Sequence, residues 1–540
     1  MTVGQLATLD WVVITFYFLL TFAIAIWVTV RERSRDTSTD YFLAGRNIGW
    51  FIVGASLFAS NIGSEHLVGL AGTGAASGVA VGQFEVLASL ILLLLGWAFV
   101  PFYLRSGVFT MPEFLERRYS SGARWYLAVV SIIAYVLTKI SVTIAAGGIV
   151  FEALMGIDFW TGAMIVVVAT GIYTVFGGLR AVLYTDMIQM FVLIGGAIAV
   201  TVVGLDALGG WGEMVQTAGP GFLDMWRPMS DPNFPWTGIL FGAPILGVWY
   251  WCTDQFIVQR VLSAKDQDEA RRGSIFAGFL KQLPVFLFVV PGLVAYALSQ
   301  RGLLALERPD QALPALVGAL MPDGLRGIVV AGLLAALMSS LSAVFNSCST
   351  LITWDVYKKL NPTASERRLV VIGQASTAIL VGLGLLWIPL MQLISGQLYQ
   401  YLQSVQAYIS PPIAAVFLLG ILWRRVNAAG AMASLITGFV LGVARLIGEL
   451  NKDALDGWLL AYSTINFLHF AVFLFVVCTA VLIGVSLVTA PPPPEKVEGI
   501  TFETTQRSTE GPRGRGWRRA DMVLSVLLVL CVVGVWMYFS

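Results

Sequence analysis

The sequence has little charge for its length, and this scarcity excludes most classes of soluble protein. Only 12% of the 540 residues are charged, whereas 57% are hydrophobic, and the mean hydropathy is +0.80. A soluble globular chain carries roughly twice that proportion of charged residues. The net charge of +1 gives no sign of nucleic-acid binding or of an acidic substrate. We therefore predict one integral membrane domain rather than several soluble domains.

Cysteine and histidine are also scarce. The four cysteines lie in apolar segments without a CxxC pair, so we predict no disulfide framework. Neither His66 nor His469 has a ligand partner four residues away, which leaves a membrane metalloprotease unsupported. Asp266 and Asp268 have the spacing of a glycosyltransferase metal motif, but a solvated, charged loop explains them. We predict that the protein is not an enzyme.

Long apolar runs are abundant, and fourteen of them predict membrane spans. Lys and Arg concentrate in alternate loops, beginning with the loop that carries Arg31, Arg33, Arg35 and Arg46. Because cytoplasmic loops collect basic residues, this pattern predicts that both termini lie outside the cytoplasm. The lack of cysteines in the outer loops favours a plasma or bacterial inner membrane. The predicted spans are 10-30, 48-72, 80-104, 126-154, 160-178, 182-205, 237-259, 273-299, 326-356, 369-388, 396-423, 427-448, 460-488 and 521-539.

The composition also divides the chain into three parts. Residues 1-490 are predicted to form the main membrane domain. Residues 491-518 begin with four prolines and end in a cluster of arginines, a composition typical of an extended cytoplasmic linker. Residues 519-540 are predicted to form a final membrane helix that packs at the periphery.

The second predicted span contains polar residues where lipid does not tolerate them. Residues 59-66 read Ala-Ser-Asn-Ile-Gly-Ser-Glu-His, with apolar residues on both sides. A helix interrupted at membrane depth survives only where it lines a protein cavity. Such breaks mark ion and substrate sites in transporters, so we predict an interrupted helix here rather than a helix end in the headgroup region.

Ionisable residues also fall inside predicted spans, where each costs roughly 2.5 to 3.5 kcal/mol unless it is paired or hydrated. Taken singly, Glu85 and Asp186 are equally consistent with interfacial residues. Lys139 is predicted to pair with a carboxylate and so to hold two helices together. The others of this kind are Asp254 and Lys281.

Two further segments have a composition suited to polar ligands. Residues 249-255, Trp-Tyr-Trp-Cys-Thr-Asp-Gln, combine aromatic faces with hydrogen-bonding groups, which is the mixture a carbohydrate site needs. An aromatic belt at the membrane interface is the alternative. Ser339, Ser340 and Ser342 offer hydroxyl oxygens to a hard cation, although serines in membrane helices often bond to their own backbone.

At these residues the chain resembles the sodium/solute symporter family, and within it the sodium/glucose cotransporter branch, which also includes myo-inositol carriers. The resemblance implies an all-α polytopic membrane protein with a core of two inverted five-helix repeats, at about 48-205 and 237-423. The first helix of each repeat is then interrupted at mid-membrane, with the substrate between the breaks. The resemblance covers about residues 10-488 and rests on the segments 59-66, 70-78, 110-114, 177-189, 249-260 and 337-341.

The same resemblance implies three sets of site residues. The substrate-binding set is Asn61, His66, Glu85, Tyr250, Trp251, Lys281 and Gln403. The sodium site shared across the family corresponds to Ala59, Ile62, Ala336, Ser339 and Ser340, of which the first three act through backbone carbonyls. A possible second sodium site corresponds to Ser60, Asp186 and Ser342.

The function implied is secondary active symport, in which inward Na+ movement drives uptake of a hexose such as glucose or galactose. Na+ is the coupling ion, no organic cofactor is expected, and the partners are a sugar or cyclitol and the lipid bilayer. A sodium/myo-inositol symporter and a sodium-independent sugar facilitator or channel stay open. Val86, Leu87 and Gly247 depart from residues common in the branch, which leaves the recognised hydroxyl pattern undecided. The sequence gives no indication of the oligomeric state.

Overall fold

The computed structural model describes residues 6–31, 38–63, 65–391, 398–505 and 515–540. Every regular element in these ranges is helical. The α-helices of the first part of the chain are α1 (Thr8–Arg31), α2 (Ser38–Leu43), α3 (Trp50–Asn61), α4 (Ala71–Ser77), α5 (Gln83–Leu94), α6 (Val100–Ser106), α7 (Met111–Arg118), α8 (Ser121–Tyr135), α9 (Ser141–Val150) and α10 (Phe159–Leu208).

Shorter helices predominate in the middle of the chain. They are α11 (Trp211–Ala218), α12 (Pro220–Leu223), α13 (Trp236–Phe241), α14 (Ala243–Gly247), α15 (Gln255–Leu262), α16 (Gln267–Leu280), α17 (Val290–Gln300), α18 (Ala312–Leu320), α19 (Leu325–Leu351) and α20 (Lys358–Leu360). The last part contains α21 (Glu366–Met391), α22 (Leu398–Leu422), α23 (Ala428–Leu450), α24 (Gly457–Thr464), α25 (Phe467–Val488), α26 (Phe502–Thr505) and α27 (Arg515–Tyr538).

Polar residues fix where several of these helices begin. Thr110 and Ser120 accept hydrogen bonds from backbone N–H groups three residues on, at 3.2 and 3.3 Å. Asp266 and Asn427 do the same at 2.9 Å. An N-cap of this kind satisfies one of the donors that a helix start leaves free.

The structure accounts for the predicted spans without confirming their number. Within the described ranges, eleven helical segments are long and apolar enough to cross a membrane. Two more predicted spans correspond to the shorter apolar helices Trp50–Asn61 and Phe159–Ile172. The predicted span 237-259 is divided among α13, α14, the π-helical turn Val248–Thr253 and the start of α15. The count of fourteen therefore stays a prediction.

The region of two predicted spans, 160-178 and 182-205, forms the single helix α10. It has 50 residues, which would extend about 75 Å if straight, against a hydrocarbon core of about 30 Å. Asp158 caps its start by accepting from the N–H groups of Trp160 and Thr161. The residues around the boundary between the two predicted spans, which include Gly177, Gly178 and Arg180, continue the helix instead of ending it.

Two helix breaks interrupt the apolar interior, as the sequence predicts. After α3 the chain leaves helical geometry at Ile62 (φ −77°, ψ 83°) and resumes in the π-helical turn Glu65–Leu70, which leads into α4. The second break is at Asp254 (φ −79°, ψ 129°), between the π-helical turn Val248–Thr253 and α15. The carboxylate of Asp254 accepts from the Phe256 N–H at 3.3 Å, which caps the helix after the break.

Helix α19 lies at the centre of the bundle and α27 at its edge. Within the span that contains α19, 94% of the most apolar window is buried, against 17% for the last span. Several polar contacts nevertheless fix α27. Asp521 accepts from Arg271 at 2.7 Å, Ser525 from the Trp97 indole at 3.0 Å, and the Trp536 indole donates to Gln83 at 2.6 Å.

The linker predicted at 491-518 is only partly extended where it is described. A 3-10 turn, Pro494–Lys496, and the short helix α26 interrupt it. Lys496 Nζ donates to the backbone carbonyl of Glu116 at 2.7 Å. This hydrogen bond attaches the linker to the loop between the predicted spans 80-104 and 126-154, which is predicted to be cytoplasmic. Residues 506–514, and the basic residues Arg33 and Arg35, lie outside the described residues, so the three-part division and the orientation stay predictions.

Close packing of α4 against α17 predicts the effect of one added methyl group. A Cβ at Gly292 would lie 2.1 Å from the Ala71 carbonyl oxygen, whereas a Cβ at Gly484 meets nothing within 4 Å. We expect Gly292→Ala to destabilise the protein by about 1–3 kcal/mol and to lower its unfolding midpoint in detergent. Gly484→Ala, the control, should leave the midpoint unchanged or raise it. Equal midpoints for the two variants would contradict this packing.

Candidate functional site

A cavity lies beside both helix breaks. Its lining includes all seven residues that the resemblance predicts for substrate binding: Asn61, His66, Glu85, Tyr250, Trp251, Lys281 and Gln403. Lys139 and a set of aromatic and apolar side chains complete it, among them Phe84, Leu87, Ile91, Leu246 and Tyr399. The structure therefore brings together residues that are up to 342 positions apart in the sequence, from Asn61 to Gln403.

The breaks and π-helical turns present several of these side chains to the cavity. Asn61 is the last residue of α3, and His66 follows in the π-helical turn after the break. Tyr250 and Trp251 lie in the turn that precedes the second break. Lys139 lies in a third π-helical turn, Val136–Ile140. Such turns are rare and occur frequently at functional sites, because the extra residue re-aims the side chains around it.

A chain of charged and polar contacts forms one wall of the cavity. Lys281 Nζ lies 2.5 Å from Asn61 Oδ1 and forms an ion pair with Glu85. The other end of the Asn61 amide donates to the Tyr250 hydroxyl at 2.9 Å. His66 Nε2 lies 3.4 Å from Glu85 Oε1. These side chains are all buried, so their hydrogen bonds are made to one another rather than to bulk water.

Aromatic rings stand next to these polar groups. The Tyr250 and Trp251 rings meet edge to face at 5.1 Å, and Lys281 Nζ lies 5.4 Å from the Trp251 ring centroid. Tyr399 packs against His66 at 5.9 Å and against Phe84 at 6.1 Å. Apolar ring faces beside convergent donors and acceptors are suited to a neutral polyhydroxylated ligand.

A second ion pair adjoins the first. Lys139 Nζ lies 2.9 Å from Glu65 Oε1, and both side chains are buried. The expectation that Lys139 pairs with a carboxylate is therefore confirmed, and the partner is Glu65. Thr143 donates to the other carboxylate oxygen, Oε2, at 3.4 Å.

The residues predicted for the shared sodium site lie where α19 meets the first break. Ser340 Oγ donates to the carbonyl of Ser60 at 3.0 Å, which joins α19 to the end of α3. Ser339 donates to Asp186. Ala59 and Ile62 flank the same end of α3, and Ala336 lies about one turn before the serines on α19. Hydroxyl and carbonyl oxygens are the donors that a hard cation such as Na+ prefers.

The residues predicted for a second sodium site are buried nearby but make other contacts. Asp186 accepts from Ser56 at 2.6 Å and lies 3.7 Å from Arg260 Nη2. The hydroxyls of Ser60 and Ser342 bond back to their own helices, at 2.5 and 3.0 Å. A cation bound here would have to compete with the Arg260 guanidinium for the Asp186 carboxylate.

Several contacts at the site had no clear signal in the sequence. Arg260 lies in a segment that carries the family resemblance, but its pairing with Asp186 depends on the packing of both α10 and α15 against α3. Tyr399 lies near the start of the predicted span 396-423 and reads as an ordinary span residue. Tyr135, which donates to Asp254, is one of several aromatics in apolar segments. Glu65 did have a signal, since a carboxylate beside a predicted helix break requires a partner.

Comparison with known proteins places the chain in a family. The model of the family described as "Sodium:solute symporter family" matches residues 41–438. This is most of the chain, and the protein belongs to the sodium:solute symporter family. The family resemblance stated from the sequence is confirmed.

Curated relatives align along nearly the whole chain. Sodium/glucose cotransporter 1 of Oryctolagus cuniculus is 40% identical over 525 residues, which cover 89% of this chain and 79% of the rabbit protein. Sodium/glucose cotransporter 4 of Danio rerio is 40% identical and covers 93% and 82%. A sodium/mannose cotransporter of Bos taurus is 39% identical and covers 99% and 98%.

Solved structures confirm the fold class. A Na+-coupled sialic acid symporter in a substrate-bound, outward-open state superposes with a TM-score of 0.77 at 22% identity, over 90% of this chain and 99% of that one. The nucleobase-cation-symport transporter Mhp1 gives 0.54 at 15% identity, over 87% and 99%. The protein is thus an all-α polytopic membrane transporter with a core of two inverted repeats whose first helices are interrupted. The repeat boundaries stay predictions.

The Lys281–Glu85 ion pair predicts a large effect on stability. Removing one partner of a buried pair leaves an uncompensated charge, which costs about 3–5 kcal/mol. We expect Lys281→Met to lower the unfolding midpoint of the purified protein strongly, and the double change Lys281→Met with Glu85→Leu to recover much of the loss. Lys265→Met, at an exposed side chain, is the control. A Lys281→Met midpoint like that of the control would contradict the pair.

Proposed function

We propose that the protein is a secondary active symporter that couples inward Na+ movement to the uptake of a hexose such as glucose or galactose. The observation that carries the proposal is the convergence of all seven predicted substrate residues on one cavity, beside the hydroxyls predicted to bind sodium. The relatives reported above are named sodium/glucose and sodium/mannose cotransporters, which supports sodium-coupled sugar transport.

Sugar recognition follows from the chemistry of the cavity. Glu85 accepts hydrogen bonds from hydroxyl groups, Lys281 donates to them, and the amides of Asn61 and Gln403 do both. The ring of Tyr250 stacks against the apolar face of the sugar and closes the cavity on the cytoplasmic side. Because these groups are paired with one another in the structure, a sugar replaces existing hydrogen bonds instead of entering an unsatisfied pocket.

Sodium is transported together with the sugar, and its binding favours the conformation of the protein that binds sugar. Ala59, Ile62 and Ala336 offer carbonyl oxygens to it, and Ser339 and Ser340 offer hydroxyls. Binding at this point ties the broken end of α3 to α19, and the same end of α3 carries Asn61 in the sugar cavity. An ion that stabilises one arrangement of the break therefore raises the affinity of the cavity for sugar.

The energy available depends on the number of ions. At 100 mV and a tenfold gradient, one Na+ supplies about 3.7 kcal/mol, enough for a solute ratio of about 500. A second ion squares that ratio. The hydroxyl of Ser342, together with Ser60 and Asp186 of the predicted second site, favours two ions in this protein.

Two alternatives differ in chemistry. Myo-inositol presents a ring of hydroxyls similar to that of a hexose, and Glu65 beside His66 is compatible with either. A sodium-independent facilitator or channel would share the polar spans. The burial of Asn61, Lys281 and Tyr250 favours a carrier over an open pore.

Uptake into proteoliposomes tests the proposal. We expect glucose or galactose to accumulate above the outside concentration under an inward sodium gradient, and not when potassium replaces sodium. Ser339→Ala and Gln403→Ala should abolish accumulation, because each removes a ligand group. The exposed changes Ser121→Ala and Gln216→Ala are matched controls and should transport normally.

Myo-inositol as the accumulated solute would select the alternative symporter. Equal entry with either cation, stopping at equilibrium, would indicate a facilitator or channel and would overturn the assignment of the sodium site.

The second sodium ion is tested by the reversal potential of the sugar-dependent current. With two ions per sugar, a change in the sugar gradient should shift the reversal potential half as far as it does with one ion. We expect the larger stoichiometry for the unchanged protein and the smaller one for Ser342→Ala. A stoichiometry of one in both proteins would assign Ser342 to packing alone.

A further inference from the structure

The ion pair of Glu65 and Lys139 stands outside the predicted sugar and sodium sets, yet it lies between them. Both side chains are buried, at 0% and 3% exposure. A charge pair at membrane depth is costly to form and contributes little stability beyond that of a well-packed apolar pair. Its position beside the first helix break suggests a role in transport, and this inference rests on the function proposed above.

One carboxylate oxygen of Glu65 faces the predicted sodium site. A Cβ built on Gly63 would lie 2.1 Å from Glu65 Oε2 and 2.5 Å from Ser340 Oγ. These two oxygens are therefore separated by no more than the sum of those distances. Since Ser340 is a predicted sodium ligand, the negative charge of Glu65 acts on this site at close range, in a surrounding of low dielectric constant.

The ammonium group of Lys139 faces the sugar cavity. Lys139 lines the cavity, and its Nζ lies 4.9 Å from the centroid of the Tyr250 ring. Tyr250 in turn accepts a hydrogen bond from Asn61, the last residue of α3. The pair thus connects a predicted sodium ligand with the aromatic gate and with the amide that meets the sugar.

Histidine links this pair to the pair in the sugar site. The His66 ring has Nδ1 4.0 Å from Glu65 Oε1 and Nε2 3.4 Å from Glu85 Oε1. Around it are two carboxylates and two ammonium groups, the latter on Lys139 and Lys281, so the formal charges balance. Loss of Glu65 leaves an excess positive charge next to the predicted sodium site, and loss of Lys139 leaves an excess negative charge there.

We propose that Glu65 and Lys139 are positioning residues that set the affinity for sodium and couple it to the sugar cavity. Glu65 attracts the cation toward Ser340, and Lys139 offsets that attraction while it holds Tyr250 in place. The balance lets sodium bind tightly enough to organise the break and weakly enough to be released on the cytoplasmic side.

The proposal predicts shifts of opposite sign. We expect Glu65→Gln to raise the sodium concentration for half-maximal sugar uptake, because the positive charge of Lys139 then stands uncompensated. Lys139→Gln should lower that concentration, because the carboxylate is left without its counter-charge. Each shift is expected to be on the order of tenfold. The double change Glu65→Gln with Lys139→Gln should return close to the original value.

The experiment measures sugar uptake into proteoliposomes across a series of sodium concentrations, for each variant at saturating sugar. Glu65→Asp keeps the charge and should stay close to the unchanged protein. Glu213→Gln removes a carboxylate from a partly exposed ion pair with Arg301 and controls for the loss of any carboxylate. For variants that transport too slowly, the thermal unfolding midpoint of the purified protein is measured at a series of sodium concentrations. The sodium concentration that gives half of the maximal stabilisation is then compared between variants.

The outcomes separate this inference from the proposed function. Opposite shifts that cancel in the double variant support the coupling role. Shifts in the same direction, or no shift beyond that of Glu213→Gln, overturn it and leave a packing role for the pair. Sugar uptake that does not depend on sodium in the unchanged protein would overturn the proposed function itself.

Discussion

Two helix breaks in an apolar interior impose the constraint on which the rest of the structure depends. Backbone groups at membrane depth cannot bond to water, so each break has to be satisfied by protein groups. At the first break the Ile62 and Gly63 N–H groups both donate within the segment, at 2.9 Å. At the second, Asp254 supplies its own carboxylate as a cap. The surrounding helices are polar at these points because the breaks require it.

The same constraint concentrates the chemistry of the protein in one place. Buried charges need partners, and here they find them around the break: Lys281 with Glu85, Lys139 with Glu65, and Arg260 with Asp186. The first two pairs border the cavity, and the third lies beside the serines predicted to bind sodium. When an ion or a polar solute binds, paired charges can exchange partners at a small cost in free energy. A dry apolar core has no polar partners to exchange.

The sequence was sufficient for the class of fold and, through its family resemblance, for seven residues of the cavity, but it was insufficient for the pairing. Hydropathy predicts the spans, and the polar residues 59-66 predict the first break, because both signals are local. The partner of Lys139 and the contact of Arg260 with Asp186 join distant helices, so no local pattern reveals them. Helix α10 was predicted as two spans because hydropathy weakens in its middle, although helical geometry continues.

The central claim is that sodium and sugar both bind at the broken end of α3 and therefore bind cooperatively. The most direct test is equilibrium binding of labelled glucose or galactose to the purified protein, with sodium or potassium, and of sodium with and without sugar. The account predicts that sodium raises the affinity for sugar and that sugar raises the affinity for sodium by the same factor. Equal sugar affinity in sodium and in potassium would contradict it.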